Sequence, residues 1–183
     1  NGIRASVLFF VPLGTWAEVQ KLTLTNQGTE AKTLKLYSFA EWCLWNAATD
    51  MENFQRNFST GEVEVDGSTI YHKTEYKERR NHYAFYTVNA PIQGFDTDRE
   101  TFIGLYNEFR DPQQVMQGTI GNSIAHGWSP IASHYIEVTL QPGESKDYIF
   151  LLGYVENEQD QKFEPATPGL LHSGSSPIVN KTK

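Results

Sequence analysis

The densest group of side chains able to do chemistry is Asn53-Phe54-Gln55-Arg56-Asn57-Phe58. Amides both donate and accept hydrogen bonds, and a guanidinium donates several in a fixed fork. Sugars present neighbouring hydroxyls that also donate and accept, so Asn53, Gln55, Arg56 and Asn57 among aromatic rings suit a sugar surface. Arg56 equally suits a phosphate, which a guanidinium grips through two parallel N–H groups. A plainer arrangement fits the same residues: Phe54 and Phe58 anchor a loop to the core while the polar groups face water. Residue types alone leave both open.

Cleaving a glycosidic bond needs a carboxyl whose pKa is raised by an apolar pocket, with a second reacting group across the bond. Glu41, beside Trp42 in an apolar run, is the best local candidate, yet a strand-end glutamate paired with an arginine is the expected account. No nucleophile elbow or glycine-rich phosphate loop is present. His72, His82, His126, His134 and His172 are too scattered for metal-ligand spacing, so no metal site is expected. His126-Gly127-Trp128-Ser129-Pro130 places a Trp in a Gly/Pro loop, as a stacking platform or as loop packing. Tyr76 to Tyr83 is a charge run of the kind that usually forms a solvated turn.

These groups must be held by a scaffold of 183 residues, long enough for one domain with a full core. Fifteen Lys and Arg against 22 Asp and Glu give a net charge of -7, which argues against nucleic acid as a partner. The lone Cys43 excludes an internal disulfide and fits a reducing, cytoplasmic setting. No apolar run reaches the ~18 residues of a membrane span, and no cleavage site follows the apolar stretch after Arg4, so neither a membrane nor a secretory leader is expected.

Period-2 alternation dominates the chain. Ala5 to Val11 reads as a strand; Ala17 to Thr25 and Thr33 to Phe39 read as a hairpin joined by Asn26 to Glu30. Glu62 to Val65 and Ser68 to Tyr71 read as a second hairpin, with Asp66-Gly67 at the centre of a type I′ turn. Strands are expected at His82 to Asn89, Thr101 to Tyr106, His134 to Leu140 and Lys146 to Tyr154. The last two form a hairpin through Gln141-Pro142-Gly143-Glu144. Many short strands and no helix beyond about two turns define an all-β, antiparallel β-sandwich. Residues 1–160 form the sandwich, and 161–183, rich in Pro, Gly and Ser, read as a linker or strap. Trp42 to Phe58 is irregular without being polar filler, the signature of a functional loop.

Several blocks resemble cellobiose phosphorylases of glycoside hydrolase family 94, the disaccharide phosphorylases. They are Ala17 to Thr25, Glu41 to Asn46, Asn53 to Glu62, Tyr71 to Tyr76, Glu78 to Phe85, and Gly121 to Ser123 with His126 to Trp128. The resemblance runs in order over roughly residues 1 to 165. It implies a large, galactose-mutarotase-like super-sandwich, incomplete here at its N-terminal end, that precedes a helical linker and an α/α barrel absent from this chain. The barrel would supply both the catalytic acid and the phosphate site. Inorganic phosphate, a co-substrate rather than a cofactor, would attack cellobiose with inversion to give α-glucose 1-phosphate and glucose.

The resemblance further implies a homodimer in which the loop from Trp45 to Phe58 reaches the partner subunit's active site. Gln55, Arg56 and Asn57, with Asn53 and Asn46 behind them, would then meet a glucose- or cellobiose-type sugar. No catalytic residue is expected in the chain, and the chain by itself is expected to be inactive. Two other readings compete: a stand-alone carbohydrate-binding module, which would need an aromatic row on a sheet face, and a purely structural dimerisation sandwich.

Overall fold

A computed structural model describes residues 2–42, 61–74, 82–127 and 130–156. Ten strands and two single-turn helices are seen among them. Strands β1 (Ile3–Phe10), β2 (Ala17–Asn26), β10 (Ser145–Glu156), β7 (His82–Val88), β6 (Thr69–Thr74) and β5 (Gly61–Asp66) form one sheet in that spatial order. The second sheet is centred on β9 (Pro130–Leu140), with β3 (Lys32–Tyr37) and the short β4 (Ala40–Glu41) along one side and β8 (Gly94–Asp98) along the other. Every pairing is antiparallel. The all-β sandwich expected from the alternation is therefore the fold observed.

The core lies between the sheets. Leu22 and Leu24, Tyr148 and Phe150, Tyr86 and Val88, and Ile70 come from the large sheet, and Ala132, Ile136, Val138 and Leu140 from β9. Each set repeats at every second residue, the spacing that puts side chains on one face of a strand. Val19 departs from this. It lies on the outer face, paired with Phe10 and Leu151 rather than in phase with Leu22. Strand β9 is buried on both faces over Pro130 to Ile136. Its rear packs Ile131 against Phe102 and Ile103, with Tyr37, Phe39 and Ile120 around them.

Two expected hairpins are not hairpins. β2 and β3 lie in different sheets, and so do β9 and β10. The Gln141–Glu144 turn forms as expected, with Gly143 at φ 77° and Glu144 N–H donating to the Gln141 carbonyl at 3.0 Å. It carries the chain across the sandwich instead of back along one sheet. Both crossings meet at Asn26, which is fully buried. Its side-chain amide donates to the carbonyls of Glu30 (2.8 Å) and Leu140 (3.0 Å), and its Oδ1 accepts from Gly28 N–H at 3.0 Å. Its backbone N–H donates to Glu144 O at 2.9 Å, and its carbonyl accepts from Gly143 N–H at 2.8 Å. Period-2 alternation reports which face is buried, but not which strand is the neighbour.

Two further expectations fail locally. The β5–β6 turn is centred on Gly67-Ser68, because Asp66 pairs with Thr69. Only Gly67, at φ 57°, takes a positive angle there, so the first central position carries the glycine as in type II′ turns, and Asp66 stays in the strand. The stretch from Thr101 is helical: α1 (Arg99–Ile103) starts where the Asp98 carboxylate accepts the Thr101 N–H at 2.7 Å. Phe102 and Ile103 are consecutive and both buried, which a strand with one wet face would not allow. α2 (Gln113–Gln117) follows, closed by Gly118 at φ 66°. β8 escaped the alternation because its acidic residues mimic a loop. Asp96 is in fact buried, its carboxylate accepting from Gly121 N–H, Ser123 N–H and the Ser123 hydroxyl at 2.6 to 3.0 Å.

Asn26→Ala is expected to lower the unfolding free energy by about 1–3 kcal/mol, because it strands the buried Leu140 carbonyl and removes the partners of the part-buried Glu30 carbonyl and Gly28 N–H. A urea titration followed by circular dichroism checks this; a loss below 0.5 kcal/mol, on the order of a surface change, would show that water replaces the amide.

Candidate functional site

Strand register fixes where the loops that carry chemistry leave the sandwich. Gly61 pairs with Thr74, Lys73 with Tyr83, and His82 with Glu156, so these strand ends form one end of the large sheet. In the second sheet Glu41 pairs with Ile131, beside Pro130. The Trp42 indole stacks on the His72 imidazole with centroids 5.4 Å apart and planes 16° from parallel. That stack ties the end of β4 to the end of β6. Residues 43–60, 75–81, 128–129 and 157–183 thus all adjoin strand ends at the same end of the molecule.

Asn46, Asn53, Gln55, Arg56 and Asn57 lie outside the described residues, as do Trp128 and the charge run from Tyr76 to Asn81. What the structure supplies is the sheet end beside them, and its side chains are closely buried. His72 is 1% exposed and Lys73 and Ile70 are fully buried. Alternation puts His72 in phase with Ile70 on the inner face. Burial lowers its pKa to about 4, so it is a neutral ring at ordinary pH. Among the described residues, neither His72 Nδ1 nor Trp42 Nε1, both buried, has a hydrogen-bond partner. On the outer face Tyr71 and Tyr83 meet edge-on, their centroids 6.0 Å apart. Burial pushes the pKa of each phenol up, with Asp66 adding to the effect on Tyr71.

Glu41 is not a free acid. The Arg99 Nε donates to its carboxylate at 2.8 Å, and Arg99 also lies over the Phe109 ring at 5.0 Å. The arginine partner expected for a strand-end glutamate is there. Both side chains are 38% exposed, so solvent screens the pair and its contribution to stability is small. His134 is a core histidine, with Nδ1 against the Ser38 hydroxyl at 2.9 Å and a pKa lowered by burial to about 4. His126 is exposed. Among the described residues no group of three His, Cys, Asp or Glu could hold a metal ion, and no helix is long and apolar enough to cross a membrane. The Trp42–His72 stack was missed in the sequence. Its only signal there is that Ile70 and His72 share a phase, which marks His72 as inward-facing without naming its partner.

The architecture defines a class, a large antiparallel sandwich of two facing sheets. Residues 1–164 match the family model described as Glycosyl hydrolase 94, supersandwich domain, and the chain belongs to that family. It is 29% identical over 162 residues to an N,N'-diacetylchitobiose phosphorylase of Vibrio proteolyticus, an alignment covering 84% of this chain and 19% of that protein. It is 25% identical over 159 residues to a solabiose phosphorylase of Paenibacillus borealis, covering 87% and 21%. A solved candidate kojibiose phosphorylase from the human microbiome superposes with a TM-score of 0.51 at 9% identity, over 85% of this chain and 16% of that one, which shows likeness of fold. The chain spans about a fifth of the length of the curated relatives it matches.

The two buried histidines make stability depend on pH. Their folded pKa values lie below the ordinary 6.5, so the unfolded chain binds more protons between about 4 and 6.5. Their contribution is fully present above about 6.5 and is lost as pH falls toward about 4. His72→Phe is expected to flatten this slope in urea unfolding series run between pH 4 and 7; an unchanged slope would mean that His72 titrates normally.

Proposed function

We propose that the chain is the non-catalytic N-terminal supersandwich of an inverting disaccharide phosphorylase, and that it contributes polar side chains to a sugar pocket formed with a catalytic barrel. The observation that supports this is the gathering of the strand ends beside 43–60, 75–81 and 128–129 at one end of the sandwich. Loops rooted on a rigid sheet end hold donors in place more closely than loops scattered around a domain. Arg56 and Gln55 bind and orient the acceptor sugar, with Asn57 and Asn53 completing the hydrogen bonds. In the homodimer the pocket they complete is that of the partner subunit. The loop text favours cellobiose as the substrate.

The chemistry asks little else of this domain. Inorganic phosphate arrives as an anion and needs no general base; its oxygen attacks the anomeric carbon while an acid on the barrel protonates the departing glycosidic oxygen. The prominent carboxylate of the sandwich end, Glu41, is already held by Arg99. That division of labour leaves the sandwich positioning donors alone.

In the full-length phosphorylase, Arg56→Ala is expected to raise KM for the acceptor sugar about tenfold or more in the synthetic direction, the loss typical of a charge-assisted hydrogen bond. KM for glucose 1-phosphate should stay within about threefold. Unchanged acceptor kinetics would remove the assignment. Cellooligosaccharide binding by the 183-residue chain alone, measured by calorimetry, would favour a binding module instead.

A further inference from the structure

Residues 43–60 are bracketed by Trp42 and Gly61, and both are fastened at the same end of β6. Gly61 pairs with Thr74 and Val63 with His72, so the chain re-enters the large sheet beside His72. Trp42, on the side where the chain leaves the second sheet, lies on the His72 ring itself. His72 shares the inward phase of Ile70, which aims its ring between the sheets at the end of β4. It thus meets one bracket of the segment through the ladder and the other through its side chain. The other ties on the Trp42 side are slight. β4 pairs with β9 over two residues, Ala40 with Ala132 and Glu41 with Ile131. The Glu41–Arg99 ion pair is open to solvent, which screens it. The stack is the dry contact of the three, since His72 is buried and Trp42 half-buried against the main core. Among the described residues neither Trp42 Nε1 nor His72 Nδ1 has a hydrogen-bond partner, so the rings are joined face to face and not through those nitrogens.

We infer that His72 and Trp42 are positioning residues for the acceptor sugar: their stack joins the two sheets where residues 43–60 begin and end, and so fixes the place from which Gln55, Arg56 and Asn57 are presented. The role rests on the sugar-site reading above, which it deepens. A segment held at both ends explores far less space than one held firmly at one end. Releasing the stack leaves the Gly61 side in its ladder and the Trp42 side on the two-residue β4. Neither residue is a catalytic group. His72 is 1% exposed and touches Trp42, not solvent, so whatever it does for a ligand it does through the chain it holds.

Positioning and plain packing have different kinetic signatures. A contact that only stabilises the fold changes how much enzyme is folded, which lowers apparent kcat and leaves the KM of the folded molecules alone. A contact that holds sugar-binding donors in place raises KM for that sugar while the chemistry on the barrel runs as before. Because His72 acts through the segment that carries Arg56, its effect shrinks once Arg56 is gone.

Synthetic-direction kinetics of the full-length phosphorylase, with glucose as the varied acceptor and glucose 1-phosphate saturating, test the role. His72→Ala is expected to raise KM for the acceptor about fivefold or more with kcat within about twofold. His72→Phe, which keeps a stacking ring, should bring KM back to within about twofold of the parent enzyme. Trp42→Leu keeps apolar volume but cannot stack; it should match His72→Ala, and it carries the test if that variant does not fold. In an Arg56→Ala background, His72→Ala should add less than about twofold, whereas independent roles would multiply. An unchanged acceptor KM, a fall in kcat alone, a His72→Phe as impaired as His72→Ala, or full multiplication with Arg56→Ala would each overturn the inference. If Arg56→Ala raises KM while His72→Ala and Trp42→Leu do not, the sugar-site reading stands and the positioning role alone falls. If Arg56→Ala has no effect, both fall, because the route through which His72 acts is gone.

Discussion

Everything in this sandwich depends on the chain crossing twice between its sheets at one corner, and Asn26 is the group that makes those crossings compatible with burial. Leaving one sheet for another breaks the ladder, and each broken rung exposes a carbonyl or an N–H that must find a partner. At the β2–β3 and β9–β10 links one residue supplies partners to both. The amide of Asn26 takes the carbonyls of Glu30 and Leu140, and its backbone takes Glu144 and Gly143. Aspartate could not donate there, and leucine could neither donate nor accept. The two sheets face each other because this corner is hydrogen-bonded through.

Once the sheets are set, β9 determines how the rest is layered. Its inner face closes the main core, and its rear face must also be covered, which explains a helix where alternation suggested a strand. α1 is only five residues long, yet its Asp98 cap and the pair Phe102 and Ile103 suffice to seat it on Ile131. The loop that follows is held by the buried Asp96 carboxylate, whose partners are backbone and hydroxyl donors rather than a cation. This half of the molecule is scaffold. The other end, where Trp42 meets His72, carries the strand ends that adjoin 43–60, 75–81 and 128–129.

Membership of the glycosyl hydrolase 94 supersandwich family agrees with that division. Four of the described carboxylates are held by structural partners: Glu41 pairs with Arg99, Asp96 accepts three bonds, Asp98 caps a helix and Asp147 binds Lys21. Buried neutral histidines stiffen the base without adding charge.

The sequence by itself determined the all-β class, most strand positions, the family, and the pairing of Glu41 with an arginine, because alternation, turn residues and motif text are local properties of the chain. It also marked Trp42 to Phe58 as the loop of interest, although Gln55, Arg56 and Asn57 themselves lie outside the described residues. Only the tertiary structure decided that two apparent hairpins are crossings, that Thr101 begins inside a helix, that the hairpin turn sits at Gly67-Ser68, and that Trp42 stacks on His72. The reason is common to all of them. A strand's alternation records how many of its faces are dry, whereas its neighbour is chosen by distant groups, such as Leu140 for Asn26, whose separation along the chain no local pattern encodes.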